Sequence, residues 1–169
     1  GPMGSGKTAV GRRLATLLGL EFVDSDAEIE KRTGVDIRYI FEKEGEARFR
    51  ERERDVIADL TALEGVVVAT GGGVILDPAN RERLAKTGTI VYLETTIDTL
   101  VRRTKAAKTR PLLMNDDPRA VLERMMLVRG PLYESSAHLR NETTGRQVRA
   151  VAADIHQRLK QRVAKLGPT

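Results

Sequence analysis

The chain has 169 residues, 40% of them hydrophobic and 31% charged, enough for one domain with a real core and too apolar for a disordered chain. It carries no cysteine, which excludes disulfides and cysteine metal sites, and no apolar run approaches the length of a membrane span. The net charge of +5 raises nucleic acid as a partner. The arginines are dispersed and aromatics are only 4%, so none is expected, and anionic small substrates explain the excess equally well.

Residues 1–8 read GPMGSGKT and match the G-x-x-x-x-G-K-S/T phosphate-binding loop at every defined position. Gly1, Gly4 and Gly6 let the backbone turn tightly around an anion with no Cβ in the way. The N–H groups of the loop, Ser5 included, then form a nest for a β-phosphate, backed by the N-terminus of the next helix. Lys7 reaches the β- and γ-phosphates, and the Thr8 hydroxyl ligates Mg²⁺. Val10, Leu14, Leu17 and Leu18 recur at helical spacing, and Gly19 stops the run. Such a loop normally follows a buried strand, yet here it opens the chain, so that strand is expected to belong to the protein and to precede Gly1. Without it, its two neighbours would stand about 10 Å apart with unpaired backbone, and stable folding is not expected.

A short strand is predicted at Leu20–Val23. It leads into Asp24-Ser25-Asp26, a pair of carboxylates suited to a metal and a substrate hydroxyl; a helix N-cap would use the same residues. Short helices follow at Ser25–Thr33 and Asp36–Glu44, then a longer one over Glu46–Leu63. Its apolar stripe is Phe49, Val56, Ile57, Leu60 and Leu63. Glu53 falls on that stripe, where a carboxylate is costly unless paired, and Arg50 lies one turn earlier. An ordinary solvated ion pair is the competing reading. Val66–Ala69 reads as a buried strand that ends in Gly71-Gly72-Gly73, where backbone N–H groups can approach a ligand. A helix after Pro78, a strand at Ile90–Leu93 and a helix at Ile97–Thr104 come next. Residues 105–117 lack an apolar face and carry Lys105, Lys108 and Arg110, so they read as a lid over phosphates rather than a plain solvated loop. A helix from Pro118 carries Arg129-Gly130-Pro131-Leu132-Tyr133. A strand near Leu139–Asn141 and a terminal helix marked by Val148, Val151, Ile155, Leu159 and Val163 complete the chain. Alternating strands and helices imply an α/β fold, a parallel sheet with helices on both faces.

Taken in order, GPMGSGKT, FVDSD, FRERE, ATGGG, RPLL and RGPLY resemble the shikimate kinase family of small P-loop kinases, over almost the whole chain. The resemblance implies a P-loop NTPase fold with a five-stranded parallel sheet in the order 2-3-1-4-5, its first, central strand missing from this sequence. It also implies a single kinase domain over 1–169, with a substrate-binding segment over about 24–63. The implied reaction is ATP-dependent phosphorylation of the 3-hydroxyl of shikimate in aromatic amino-acid biosynthesis, by a cytoplasmic monomer that requires Mg²⁺. By position, Lys7, Asp26 and Arg110 would be catalytic. Asp26, Arg50, Gly72, Gly73 and Arg129 would bind shikimate, the two arginines on its carboxylate, with Glu53 bracing the clamp. Gly4, Ser5, Gly6, Lys7, Thr8, Arg103, Arg110 and Arg146 would bind the nucleotide, and Thr8 and Asp24 the metal. A gluconate kinase and a nucleotide switch without turnover stay open, although no N-K-x-D guanine motif is present.

Overall fold

The computed structural model describes residues 1–105 and 117–166. The elements run α1 (Lys7–Leu18), β1 (Glu21–Asp24), α2 (Ser25–Thr33), α3 (Ile37–Lys43), α4 (Gly45–Thr61), β2 (Val66–Ala69), α5 (Pro78–Thr87), β3 (Val91–Glu94), α6 (Ile97–Lys105), α7 (Pro118–Ser136), β4 (Leu139–Glu142) and α8 (Val148–Leu166). A short 3-10 turn at Val74–Leu76, which the sequence did not suggest, links β2 to α5.

Local chemistry sets most boundaries. α1 begins at Gly6, whose positive φ of 96° turns the phosphate loop into the helix, and ends at Gly19, whose N–H reaches back to the carbonyls of Ala15 and Thr16. Asp24, Asp36, Asp77 and Asp117 each cap the helix that follows by accepting backbone N–H bonds. Pro78 and Pro118 occupy first-turn positions where no N–H is needed. Pro131 lies inside α7 instead, so the RGPLY motif is helical throughout.

Four strands are present among the described residues, in two parallel pairs. β1 pairs with β2, Glu21 opposite Val66 through Asp24 opposite Ala69. β3 pairs with β4, Val91 opposite Leu139 through Glu94 opposite Glu142. No ladder joins the two pairs among the described residues, which hold four of the five strands that the resemblance implied. Both pairs run in register, so Asp24-Ser25-Asp26 and Thr70–Gly73 leave the sheet side by side at its C-terminal edge.

Two apolar clusters hold the layers together. Val10 and Leu14 of α1 and Val151, Ala152 and Ile155 of α8 pack with Leu93 and with Val67 and Val91. On the other side, Ile29, Ile40, Phe49, Val56 and Leu60 join α2, α3 and α4 to Val23 and Val68. The expected stripes hold in the helix centres and fail at the ends. Leu63 lies past the end of α4 and is half exposed, and Val148 and Val163 of α8 face solvent, because the packing surface beneath them has run out. No helix among the described residues is long and apolar enough to cross a membrane.

Ile155 is fully buried where α8 meets α1. Ile155→Ala is expected to destabilise the fold by about 2–5 kcal/mol, from lost transfer energy plus a cavity. Val163→Ala, on the exposed side of the same helix, should stay within about 0.5 kcal/mol of the parent. Urea unfolding of the two variants checks the assignment of the buried face.

Candidate active site

A cleft of about 840 Å³ opens along the C-terminal edge of β1 and β2. The phosphate loop and α1 form one wall, α2–α4 a second, and Thr70–Gly73 the floor, with Arg103 and Arg129 entering from α6 and α7. Lys7, Thr8, Asp24, Asp26, Arg50, Gly72, Gly73, Arg103 and Arg129, reached from widely separated positions, all line it.

Gly4 and Gly6 have φ values of 81° and 96°, a left-handed backbone that favours glycine, so the loop geometry explains the motif. The Lys7 ammonium curls over the loop and donates to the carbonyls of Gly1 at 2.9 Å and Pro2 at 2.8 Å. Ser5 is buried and is not among the residues that line the cleft. Arg103 ties the loop down from outside, donating to the Gly4 carbonyl at 3.0 Å and to the Thr143 carbonyl at 3.3 Å.

Asp24 serves as the helix cap and also reaches the phosphate loop. One carboxylate oxygen accepts the N–H groups of Asp26 and Ala27 and caps α2. The other accepts the Thr8 hydroxyl at 2.8 Å. Thr8 and Asp24 thus present hard oxygen donors beside the phosphate loop. That set suits magnesium, which takes one or two protein oxygens and completes its shell with water and phosphate. No cluster of three or more His, Cys, Asp or Glu among the described residues offers a self-contained metal cage.

Asp26 points toward the floor of the cleft. Its Oδ1 is buried and accepts no hydrogen bond from the described residues. Burial raises its pKa, with the nearby Asp24 charge adding to the effect and Lys7 opposing it. The neighbouring Glu53 is 1% exposed, and its Oε2 accepts from Arg50 at 2.6 Å. The expected pair therefore exists, but it is buried rather than solvated. Desolvation still raises the Glu53 pKa, with Arg50 pulling the other way. Burial works against the Arg50 charge too, yet Glu53 and Glu46 outweigh it and hold the guanidinium above its normal pKa.

Gly71 and Gly73 leave space that these neighbours fill. A Cβ on Gly71 would lie 2.6 Å from Asp26 Oδ1 and 3.0 Å from Glu53 Oε1, and one on Gly73 would overlap the Arg50 guanidinium. The loop is also held from both sides. The Gly71 N–H donates to the buried Ser25 hydroxyl at 3.0 Å, and the Tyr133 hydroxyl donates to the Gly72 carbonyl. The sequence offered Ser25 only as a possible helix cap and gave the Tyr133 hydroxyl no role. The available signal for Tyr133 was its i+4 spacing from Arg129, which puts both on one face of α7. Arg129 itself is 8% exposed and enters the cleft near Glu53.

Two expectations fall elsewhere. Arg146 does not line the cleft; it pairs with Asp154 at 3.2 Å and donates to the Glu142 carbonyl. Arg110 and nearly all of the expected lid, residues 106–116, lie outside the described residues.

The family model described as "Shikimate kinase" matches residues 3–160. The chain belongs to the shikimate kinase family. Its sequence is 54% identical over 159 residues to the shikimate kinase of Halorhodospira halophila, covering 94% of this chain and 90% of that one. It is 53% identical over 161 residues to the shikimate kinase of Pseudoalteromonas atlantica, covering 95% and 94%. Among solved structures, the shikimate kinase from Acinetobacter baumannii in complex with shikimate superposes with a TM-score of 0.93 at 48% identity, covering 96% of this chain and 90% of that one. The enzyme from Aquifex aeolicus gives 0.81 at 32% identity, covering 99% and 96%. The P-loop α/β fold of this family is therefore the fold of this chain.

The raised pKa of Asp26 has a sign for stability. A carboxyl whose folded pKa exceeds its unfolded value favours folding below the unfolded pKa, near 4, and loses that contribution as pH rises through the folded value. Asp26→Asn should therefore raise the urea midpoint at pH 7 relative to the parent, and the gain should shrink toward pH 4. A midpoint that falls at pH 7 would mean that the buried charge is better compensated than the cleft geometry implies.

Proposed function

We propose that this chain transfers the γ-phosphoryl group of ATP to the 3-hydroxyl of shikimate, giving shikimate 3-phosphate and ADP. The observation that carries this reading is one cleft with a phosphate loop at one end and, at the other, a buried unpartnered aspartate oxygen beside two arginines. Family membership supplies the substrate: the relatives at about half identity are named shikimate kinases, and one similar solved structure is a complex with shikimate.

On this reading, Gly4, Ser5, Gly6, Lys7 and Thr8 hold the nucleotide phosphates through backbone N–H groups, the ammonium and the hydroxyl. Arg50 and Arg129 hold the substrate carboxylate, because planar guanidinium forks match it better than an ammonium would. Gly72 and Gly73 line the space between the two ligands. Asp26 Oδ1 accepts the proton of the attacking hydroxyl. Burial raises its pKa, which improves it as a base. The substrate oxygen then bonds to the γ-phosphorus as the bond to the β,γ-bridging oxygen breaks. Thr8 and Asp24 would hold Mg²⁺, which when bound offsets phosphate charge. Arg103, already against the phosphate loop, flanks the nucleotide, and Arg110 is assigned to the transferring phosphate on the resemblance alone. Arg146 keeps the same footing, as an adenine neighbour. On the same reading the enzyme works as a monomer in the cytoplasm, where ATP is supplied.

ADP release is expected with shikimate and Mg²⁺, and not with gluconate. Shikimate-independent hydrolysis alone, or a preference for gluconate, would overturn the reading. Arg129→Ala should weaken shikimate binding about tenfold or more with ATP affinity retained, since a charge-assisted hydrogen bond contributes about 1.5–3 kcal/mol. Asp26→Asn should lower kcat far more than it alters nucleotide affinity. Calorimetric titration of both ligands, beside the turnover assay, separates the two effects.

A further inference from the structure

The Tyr133 hydroxyl sits at a junction that the reaction scheme leaves unused. It donates to the Gly72 carbonyl on the floor of the cleft. Arg129 lies one helical turn earlier on the same face of α7, with its guanidinium close enough to act electrostatically on the hydroxyl. The ring is nearly fully buried and stacks on Tyr92 of β3, with centroids 5.1 Å apart and planes inclined by 24°. Ile75, from the turn that follows the glycines, completes this small cluster. The phenol is therefore fixed by packing before its hydroxyl makes any bond. Gly72 is pressed closely around it: a Cβ there would lie 3.5 Å from the hydroxyl oxygen and 3.3 Å from Met3 N of the phosphate loop. Burial pushes the phenol pKa up to about 12, so it stays a donor to Gly72 while its oxygen is available to Arg129.

We propose that Tyr133 is a positioning residue that locks the Arg129 guanidinium to the Gly72 backbone, so that the carboxylate clamp and the phosphate-facing floor keep one fixed separation. The proposal rests on the reading of Arg129 as a carboxylate clamp. The physical argument is entropic. An arginine side chain loses considerable rotamer freedom when it binds an anion, and fixing its fork beforehand removes that cost from the binding step. A fixed Gly72 carbonyl does the same for the floor. Tyr133 touches no reacting atom, so its effect belongs in substrate affinity rather than in the chemical step.

Tyr133→Phe removes only the hydroxyl and keeps the ring against Tyr92. Steady-state kinetics on the parent and the variant, with each substrate varied, provide the test. The shikimate KM should rise about three- to tenfold, the loss of one or two ordinary hydrogen bonds. The ATP KM should stay within about twofold and kcat within about threefold, with a cooperative thermal transition retained. In an Arg129→Ala background the same substitution should add less than about twofold to the shikimate KM, because the group it positions is gone. An unchanged shikimate KM, an equal effect in both backgrounds, a loss confined to kcat, or loss of the cooperative transition would each overturn the positioning role. The parent's own turnover of shikimate reads the proposed function separately. If the parent is active and the variant matches it, only the role of Tyr133 falls; if the parent does not phosphorylate shikimate, both fall.

Discussion

A carboxylate with 1% of its surface exposed survives as a charge only if a cation reaches it, and at Glu53 that cation is Arg50 at 2.6 Å. Much of the cleft follows from this pair. Arg50 is drawn inward over the Phe49 ring, 5.1 Å from its centroid, so its guanidinium fills the space that a side chain at position 73 would need. The Asp26 and Glu53 oxygens fill the corresponding space at position 71. Gly71 and Gly73 leave room for charged groups that occupy the positions a Cβ would take, whereas a Cβ on Gly72 would meet the phosphate-loop backbone and the Tyr133 hydroxyl. The same pair makes Arg50 a poor residue to truncate. Removing it strands Glu53, and an uncompensated buried charge costs about 3–5 kcal/mol, enough to blur binding with unfolding. Arg129, on another helix, reports on the clamp more cleanly.

The sequence was most legible where one residue type has one physical use. The phosphate-loop sequence and the central apolar positions of α1, α4 and α8 were legible, and α4 was read within two residues of its observed bounds, whereas of the capping aspartates only Asp24 had been weighed as a cap. Arg50 and Glu53 were legible as a pair by their spacing, but not as a buried one. Burial depends on α2 and β2 closing over α4, and those contacts are distant in sequence. Ser25 and Tyr133 were passed over for the same reason. A serine between two aspartates looks like a cap, and Tyr133 shows no role of its own, until the fold brings Gly71 and Gly72 against their hydroxyls. Arg146 is the converse case. The resemblance assigns it to the nucleotide, and in this structure, just before α8, it pairs with Asp154 of that helix.

The site holds its charges at a cost to the fold. Asp26 and Glu53 both have raised pKa values with burial as the leading cause, so each would be more comfortable neutral or in water. The apolar clusters on either side of the sheet support this strain, since they bury α1, α4 and α8 independently of the cleft. Activity and stability therefore draw on different residues. Core truncations should weaken the fold without altering specificity, and neutralised cleft carboxylates should do the reverse.

The geometry also bears on why a ring acid suits this cleft better than an open-chain one. Shikimate and gluconate both offer a carboxylate and several hydroxyls, so charge alone does not separate them. What separates them is how rigidly the protein fixes its two ends. Arg50 is held by Glu46 and Glu53, Arg129 by its contact with Tyr133, and Asp26 by its place at the start of a capped helix. With Arg50 and Arg129 in the proposed role of carboxylate clamp and Asp26 in that of base, such a receptor favours a ligand whose own carboxylate-to-hydroxyl distance is fixed. An open chain must freeze several torsions to meet the same two points, each at a cost comparable to ordering a side chain, about 0.5–1.5 kcal/mol. Three or four such torsions amount to several kcal/mol, more than one extra hydrogen bond returns. Selectivity on this view comes from the stiffness of the site, and the buried ion pair at Glu53 is what makes it stiff.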